Sequence, residues 1–277
     1  MQGKEPGWWR LRNATGFLLR RTRLLRPAYY ALFIADYLKN YRSNRRFRKD
    51  HPEFELPPAA LLFETFTTTD HQSYYASGLE RAQFLSAIMN EFLPAGPVRI
   101  CEWGCGAGRL IRHLPHLNRS RPFSAFGSDY SERSVLWCQE HISDVTFALN
   151  DVAPPLPVGE NEFDFLYSHS VYTHLSARLQ RAWLADNLRV VRPGGHVLLT
   201  LHGDSYEGRL TTEERNQYRD TGFVERSGVK DGSPWFTTYN SPDWVEAELL
   251  DGLTVVYKET FQNRADPQQD TWVVASP

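Results

Sequence analysis

Short apolar runs alternate with stretches of helical periodicity from position 98 onward. The runs at 98–101 (VRIC), 124–127 (SAFG), 145–148 (VTFA), 163–167 (FDFLY) and 196–201 (HVLLTL) read as strands. Between them 110–114, 132–142 and 177–191 read as helices, and Pro193, Gly194 and Gly195 turn the chain into the fifth strand. Strands and helices alternating through short turns predict parallel βαβ units and a doubly wound sheet. A helix at 243–250 followed by strands at 253–260 and 271–275 has the shorter connection that suits an antiparallel hairpin. Upstream, Leu85, Ile88, Met89 and Phe92 carry helical spacing over 75–92, closed by Pro94, Gly96 and Pro97.

The expected fold is therefore α/β: a seven-stranded, mostly parallel sheet with an antiparallel last strand, preceded by a helical extension. The expected organisation is an arm over 1–50, a linker and leading helix over 51–96 around Pro52, Pro57 and Pro58, and the main domain over 97–277. Within the arm Tyr29, Leu32, Phe33 and Tyr37 recur at spacings of three and four, as on one helix face.

Charge changes this picture. The formal net charge is −2, but residues 1–50 hold 13 Lys and Arg against 3 Asp and Glu, whereas the remainder holds 18 against 30. A strongly basic arm thus precedes an acidic body. Apolar residues at 41% provide for a sizeable core. Three cysteines are too few and too clustered for a disulfide framework or a zinc site, so no metal and a reducing, cytoplasmic setting are expected. No run approaches the roughly 18 apolar residues of a membrane span.

The chemistry is carried by 98–109, VRICEWGCGAGR. A strand ends in Glu102 and enters Gly104, Gly106 and Gly108 before a helix. Glycines allow a sharp turn and close backbone approach to a ligand, and the helix start offers unpaired amides. A dinucleotide fingerprint would need Gly or Ala where Arg109 stands. An acid two residues before the first glycine would repel a pyrophosphate and attract an ammonium group.

This segment resembles the first motif of the class I S-adenosylmethionine-dependent methyltransferases, acid-x-Gly-x-Gly-x-Gly, and the likeness continues in order over roughly 98–202. It implies S-adenosylmethionine as cofactor, with Glu102, Gly104, Cys105, Gly106 and Gly108 around it. Asp129, in FGSDYS, falls where the family's carboxylate accepts from the ribose hydroxyls, and Asp151, in ALNDVA, falls where an acid takes the adenine amino group. Tyr130, Val152 and Ser168 adjoin these positions as further cofactor contacts. Each acid also has an ordinary reading as a cap or turn residue, and Cys105 reads as a small side chain between glycines rather than a nucleophile.

Ligands of such sheets lie beyond the carboxyl ends of the strands, where His169, His174 and His202 emerge as candidate bases for a hydroxyl acceptor. Helix capping and packing against the sheet are the competing roles. The polar, aperiodic segment 204–240 is expected to cover the acceptor side, with Tyr172, Trp235, Tyr239 and Asn240 as lining candidates; a plain surface excursion is the alternative. The run after the fourth strand is SHSVY and not Asn/Asp-Pro-Pro-Tyr/Phe, which argues against amino methylation of DNA bases. O-methylation of a small molecule or glycan, with a lipid-linked saccharide among the candidates, is the leading expectation. An RNA methyltransferase gripping through the arm and a non-catalytic binding protein are the alternatives.

The arm itself admits three partners. Arg20, Arg21, Arg23 and Arg26 precede its aromatic patch, and Arg42, Arg45, Arg46, Arg48 and Lys49 follow it. Such flanking fits peripheral contact with an anionic membrane. Packing on the body or a second subunit is the plainer reading, and RNA the third; the acidic body disfavours a large nucleic-acid footprint.

Overall fold

A computed structural model describes residues 25–226, 231–233, 235–262 and 266–277. The basic cluster before Leu25 lies outside the described residues. The chain forms two compact units, one ending at Ser77 and the other Gly78–Pro277.

In the first unit α1 (Leu25–Asp50) and α2 (Ala59–Phe66) precede α3 (His71–Phe92), which continues into the second unit. One side of α1 is fully engaged. Tyr29 and Phe33 meet the ring of Phe63 at 5.1 and 5.5 Å, and Asp36 accepts from the Thr69 amide at 2.5 Å. Asn44 donates to the Thr69 carbonyl at 2.6 Å and accepts from the His71 amide at 3.0 Å, and Phe47 is buried. The expected linker is shorter than its prolines suggest. Pro58 caps α2, a position where a missing amide hydrogen costs nothing, so Ala59 and Ala60 are already helical.

The second unit is built on β1 (Val98–Trp103), β2 (Phe123–Asp129), α4 (Glu132–His141), β3 (Val145–Leu149), β4 (Phe163–Ser168), α5 (Ala177–Val190) and β5 (Val191–Leu201). There follow α6 (Thr212–Thr221), the hairpin β6 (Phe223–Arg226) with β7 (Thr237–Asn240), and the pair β8 (Thr254–Glu259) and β9 (Asp270–Ala275). The main sheet has the order β3-β2-β1-β4-β5-β9-β8, and β9 runs antiparallel to both neighbours. This is the mostly parallel seven-stranded sheet that the alternation predicts. Its central strands are buried on both faces, which is why they read as continuous apolar runs. Trp183 of α5 stacks on Trp103 of β1 at 4.2 Å and anchors the core on that face.

Three local expectations differ from what forms. The helix expected at 110–114 is a 3-10 turn, Ile111–His113, leading into the short helix Leu114–Leu117. The helix expected at 243–250 is one turn, Pro242–Trp244, passing into a π turn, Val245–Leu249, that closes with the Leu250 amide on the Val245 carbonyl. The aperiodic segment 204–240 is largely ordered: a 3-10 turn Asp204–Arg209, then α6, β6 and β7. Helix α6 buries only Tyr218 and is held by a Thr211–Glu214 capping box, so it carries no apolar period to detect.

Candidate active site

The carboxyl ends of β1, β2, β3 and β4 converge on the glycine loop. Gly104, Gly106 and Gly108 all have positive φ, at 78°, 52° and 69°, a region that side chains rarely enter. A Cβ on Gly104 would stand 2.3 Å from Val171 Cγ2, and one on Gly108 2.5 Å from Ile142 Cδ1. The Gly104 and Cys105 amides donate to the Ser128 carbonyl, which ties the loop to β2. Cys105 is buried, and Cys138 Sγ contacts the Gly106 carbonyl at 3.5 Å.

Asp129 closes this loop from the next strand. Its Oδ2 accepts from the Gly106 amide at 2.8 Å and its Oδ1 from the Ser131 amide at 2.8 Å. Asn150 donates through its backbone to the Asp129 carbonyl and through Nδ2 to the Asp151 carbonyl, so β3 delivers Asp151 to the same edge, where it is exposed. Tyr130 is also exposed, and Val152 is half-buried with its carbonyl taking the Trp183 indole N–H at 2.9 Å.

Glu102 lies beneath the loop. Its Oε2 accepts from the Tyr167 hydroxyl at 3.0 Å and the Ile111 amide at 3.1 Å, joining β1, β4 and the start of the following turn. Burial dominates its protonation and pushes its pKa up to about 8, against the favourable influence of Tyr167 and Arg109. The Tyr167 hydroxyl is in turn held well above its ordinary value by burial and the adjacent carboxyl.

Several buried polar atoms along this edge have no protein partner: Ser128 Oγ, Asn150 Oδ1, Ser168 Oγ and His169 Nδ1. Leaving such atoms unsatisfied is costly, so they mark where a polar ligand completes the structure. With the positive-φ glycine loop, the Asp129 carboxylate and exposed Asp151, this donor and acceptor set fits a nucleoside bearing an amino-acid group, such as S-adenosylmethionine.

The three histidines occupy different situations. His202, beyond β5, contacts the Thr238 carbonyl through Nδ1 at 3.1 Å; because a carbonyl only accepts, Nδ1 carries the proton and Nε2 keeps its lone pair. Its ring lies 4.1 Å from that of Tyr206, and burial holds its pKa down to about 3. His174 Nδ1 likewise donates to the Phe236 carbonyl at 2.7 Å, which makes it an anchor for the segment above it. His169 is half-buried, and burial together with Arg109 and Arg81 keeps it well below its ordinary pKa.

Segment 204–240 is fastened across this edge. Gln180 donates to the Tyr172 carbonyl at 2.9 Å and to Thr238 Oγ1 at 3.1 Å, and accepts from Asn240 Nδ2 at 3.1 Å. Tyr206, Leu210, Tyr218, Val224 and Tyr239 form a small core of their own within it. Of the expected acceptor-side residues, Trp235 is 37% exposed, whereas Tyr172, Tyr239 and Asn240 are buried. The Tyr172 hydroxyl accepts from Asn187 in the main core, Tyr239 packs in the small core, and Asn240 bonds Gln180. These three hold the segment and do not line an open cleft.

Residues that the sequence pattern does not single out complete the site. Gln269, just before β9, takes a hydrogen bond from Thr200 Oγ1 at 2.7 Å, donates to Ser170 Oγ at 2.6 Å and lies 3.5 Å from His202 Nε2. Ser170 adopts a φ of 64°, held by its amide on Thr200 Oγ1 at 2.8 Å. Ser170 and Gln269 are 99 positions apart, beyond the reach of any local motif.

Comparison with known proteins agrees with this geometry. Residues 100–195 match the family described as a methyltransferase domain. An Arabidopsis thaliana tRNA (carboxymethyluridine(34)-5-O)-methyltransferase is 32% identical over 154 residues, covering 55% of this chain; the chain spans 34% of that protein's length. Two solved structures share the fold. A Methanosarcina mazei S-adenosylmethionine-dependent methyltransferase has a TM-score of 0.52 at 14% identity over 68% of this chain and 96% of its own. The Synechocystis magnesium protoporphyrin IX methyltransferase with bound SAH has 0.51 at 16% identity, covering 88% and 98%. Fold and motif thus define a Rossmann-like nucleoside-binding domain of the methyltransferase type. Residues 100–195 are a methyltransferase domain by this match, and the sheet around them has the fold of the S-adenosylmethionine-dependent methyltransferases.

Proposed function

We propose that the protein transfers the methyl group of S-adenosylmethionine to an oxygen of a small molecule or glycan, with His202 as the base. The observation that carries this reading is the orientation of His202: Nδ1 donates to the Thr238 carbonyl, which leaves Nε2 as an acceptor at the strand edge, engaged at 3.5 Å by the long contact of the Gln269 amide that an acceptor hydroxyl would replace. S-adenosylmethionine, when bound, supplies a sulfonium methyl for in-line displacement, a reaction that asks chiefly for orientation. The glycine-loop amides, Ser128, Asn150 and Ser168 would hold the cofactor. Asp129 would take its ribose hydroxyls, Asp151 its adenine amino group and Glu102 its ammonium.

The low pKa of His202 keeps it neutral at ordinary pH. A neutral imidazole suffices, because methylation of a hydroxyl turns its proton into that of an oxonium, a far stronger acid than imidazolium. Trp235 is the one expected lining residue with substantial exposure and is assigned to acceptor binding. His169 and His174 are assigned to cofactor-side packing and to anchoring.

Calorimetry tests the cofactor assignment. Asp129→Ala is expected to weaken S-adenosylmethionine binding roughly tenfold or more, since charge-assisted hydrogen bonds are lost; unchanged affinity overturns it. Incubation with labelled cofactor and cell-envelope or small-metabolite extracts tests the acceptor. The likeness to a tRNA methyltransferase supports a second reading, in which the label would enter RNA instead.

A further inference from the structure

The outward face of α1 has no role in the methyl-transfer reading. Its inward face is the one that meets Phe63, Thr69 and His71. The opposite face is apolar and exposed: Tyr30, Ile34, Tyr37, Leu38 and Tyr41 recur at spacings of one, three and four, with Tyr30 65% and Leu38 66% exposed. Arg45 and Arg48 continue the same face at the next turns, and Arg42 and Lys49 flank it. Arg46 pairs with Asp50 at 3.7 Å, but Arg42, Arg45, Arg48 and Lys49 have no ion-pair partner among the described residues.

Beside this face lies a cleft of about 540 Å³. Tyr37, Tyr41, Asn44, Arg48, Phe54 and His71 are among the residues that line it. His71 is only 6% exposed and its Nδ1 has no partner. Burial and the neighbouring Arg48 guanidinium hold this imidazole neutral, with a pKa of about 4, and in its Nδ1–H tautomer the unpartnered nitrogen would be a donor for an oxyanion.

We propose that this face of α1 is a docking site for an anionic phospholipid surface, with the headgroup phosphate received in the cleft between Arg48 and His71. Two features select this occupant. Tyrosines and aliphatic side chains on one helix face bury at the boundary between headgroups and acyl chains, and unpaired cations beside them meet the negative surface. RNA would use the tyrosines and arginines by stacking and charge, but has no use for Ile34 and Leu38. Among the described residues no helix is long and apolar enough to cross a membrane, so the contact is peripheral. The proposal does not depend on the identity of the methyl acceptor.

Vesicle flotation of the full chain provides the test. The protein is expected to float with phosphatidylcholine vesicles containing phosphatidylglycerol, to stay behind with phosphatidylcholine alone, and to be released by salt. Arg45→Glu with Arg48→Glu, and separately Ile34→Ser with Leu38→Ser, should each lower the partition coefficient roughly tenfold or more. These side chains are exposed, and thermal unfolding together with retained S-adenosylmethionine binding verifies that the variants fold. Equal partition onto both vesicle types overturns the proposal, as does flotation that either variant leaves unchanged. So does a wild-type chain that ignores vesicles but self-associates or retains RNA through the same residues. The wild-type salt and lipid dependence stands as a test even where a variant fails to fold.

Discussion

Glu102 shows how a single carboxyl joins the loop's architecture to its chemistry. Its folded pKa of about 8 stands above the ordinary value of 4.5, because burial disfavours the charge more than Tyr167, Arg109 and Ile111 favour it. Between those two pH values the folded protein holds a proton that the unfolded chain releases, so this group's contribution to stability declines as pH rises through that window. In the proposed complex a bound ammonium would reverse the preference and expel the proton. Cofactor affinity is therefore expected to rise with pH toward about 8. Calorimetry in buffers of different ionisation enthalpy should detect proton release on binding, and Glu102→Gln should abolish both effects. A pH-independent affinity in the wild type would remove the proposed contact. The Glu102, glycine and Asp129 pattern is legible in sequence because it is local to two strand ends. That Glu102 also holds Tyr167 and Ile111 is not, because those contacts depend on the chain's return through β4.

At the scale of elements, the segment over the strand ends hangs on Gln180. Three hydrogen bonds from one amide join α5, the turn after β4 and β7, and the amide is fully buried. Gln180→Leu keeps the volume, strands the Asn240 amide at about 1–3 kcal/mol and leaves the Tyr172 carbonyl and the Thr238 hydroxyl with only their longer 3.3 Å bond to each other. Amide exchange in β6 and β7 is expected to accelerate, with S-adenosylmethionine affinity little changed; uniform acceleration across the sheet would contradict a local role. The parallel strands were readable because burial on both faces writes an unbroken apolar run, as in 163–167. The 204–240 segment was not, because its order rests on a capping box, a private core of five side chains and contacts from distant turns. For the same reason Tyr172, Tyr239 and Asn240 looked like lining residues: aromatic and amide side chains near a site do not announce which way they face.

Across the whole molecule, histidine burial sets the response to acid. His71, His113, His169, His174, His196 and His202 all have pKa values below 6.5, chiefly through burial. The unfolded chain takes up these protons first, so their contribution is complete above about 6.5 and is lost as pH falls toward about 4. Raised carboxyls at Glu102, Glu225 and Asp270 act in the opposite sense but are fewer. Scanning calorimetry should therefore show Tm falling from neutral pH toward pH 4, and a Tm that rises in acid would contradict the burial of these rings. The position of β9 matters for a different reason. Last among the strands in chain order, it inserts between β5 and β8 and brings Gln269 to His202. During synthesis, β5 must wait with an open hydrogen-bonding edge until Asp270–Ala275 has left the ribosome. The open edge of β5 is thus sealed, and Gln269 brought to His202, in one and the same event, the docking of β9.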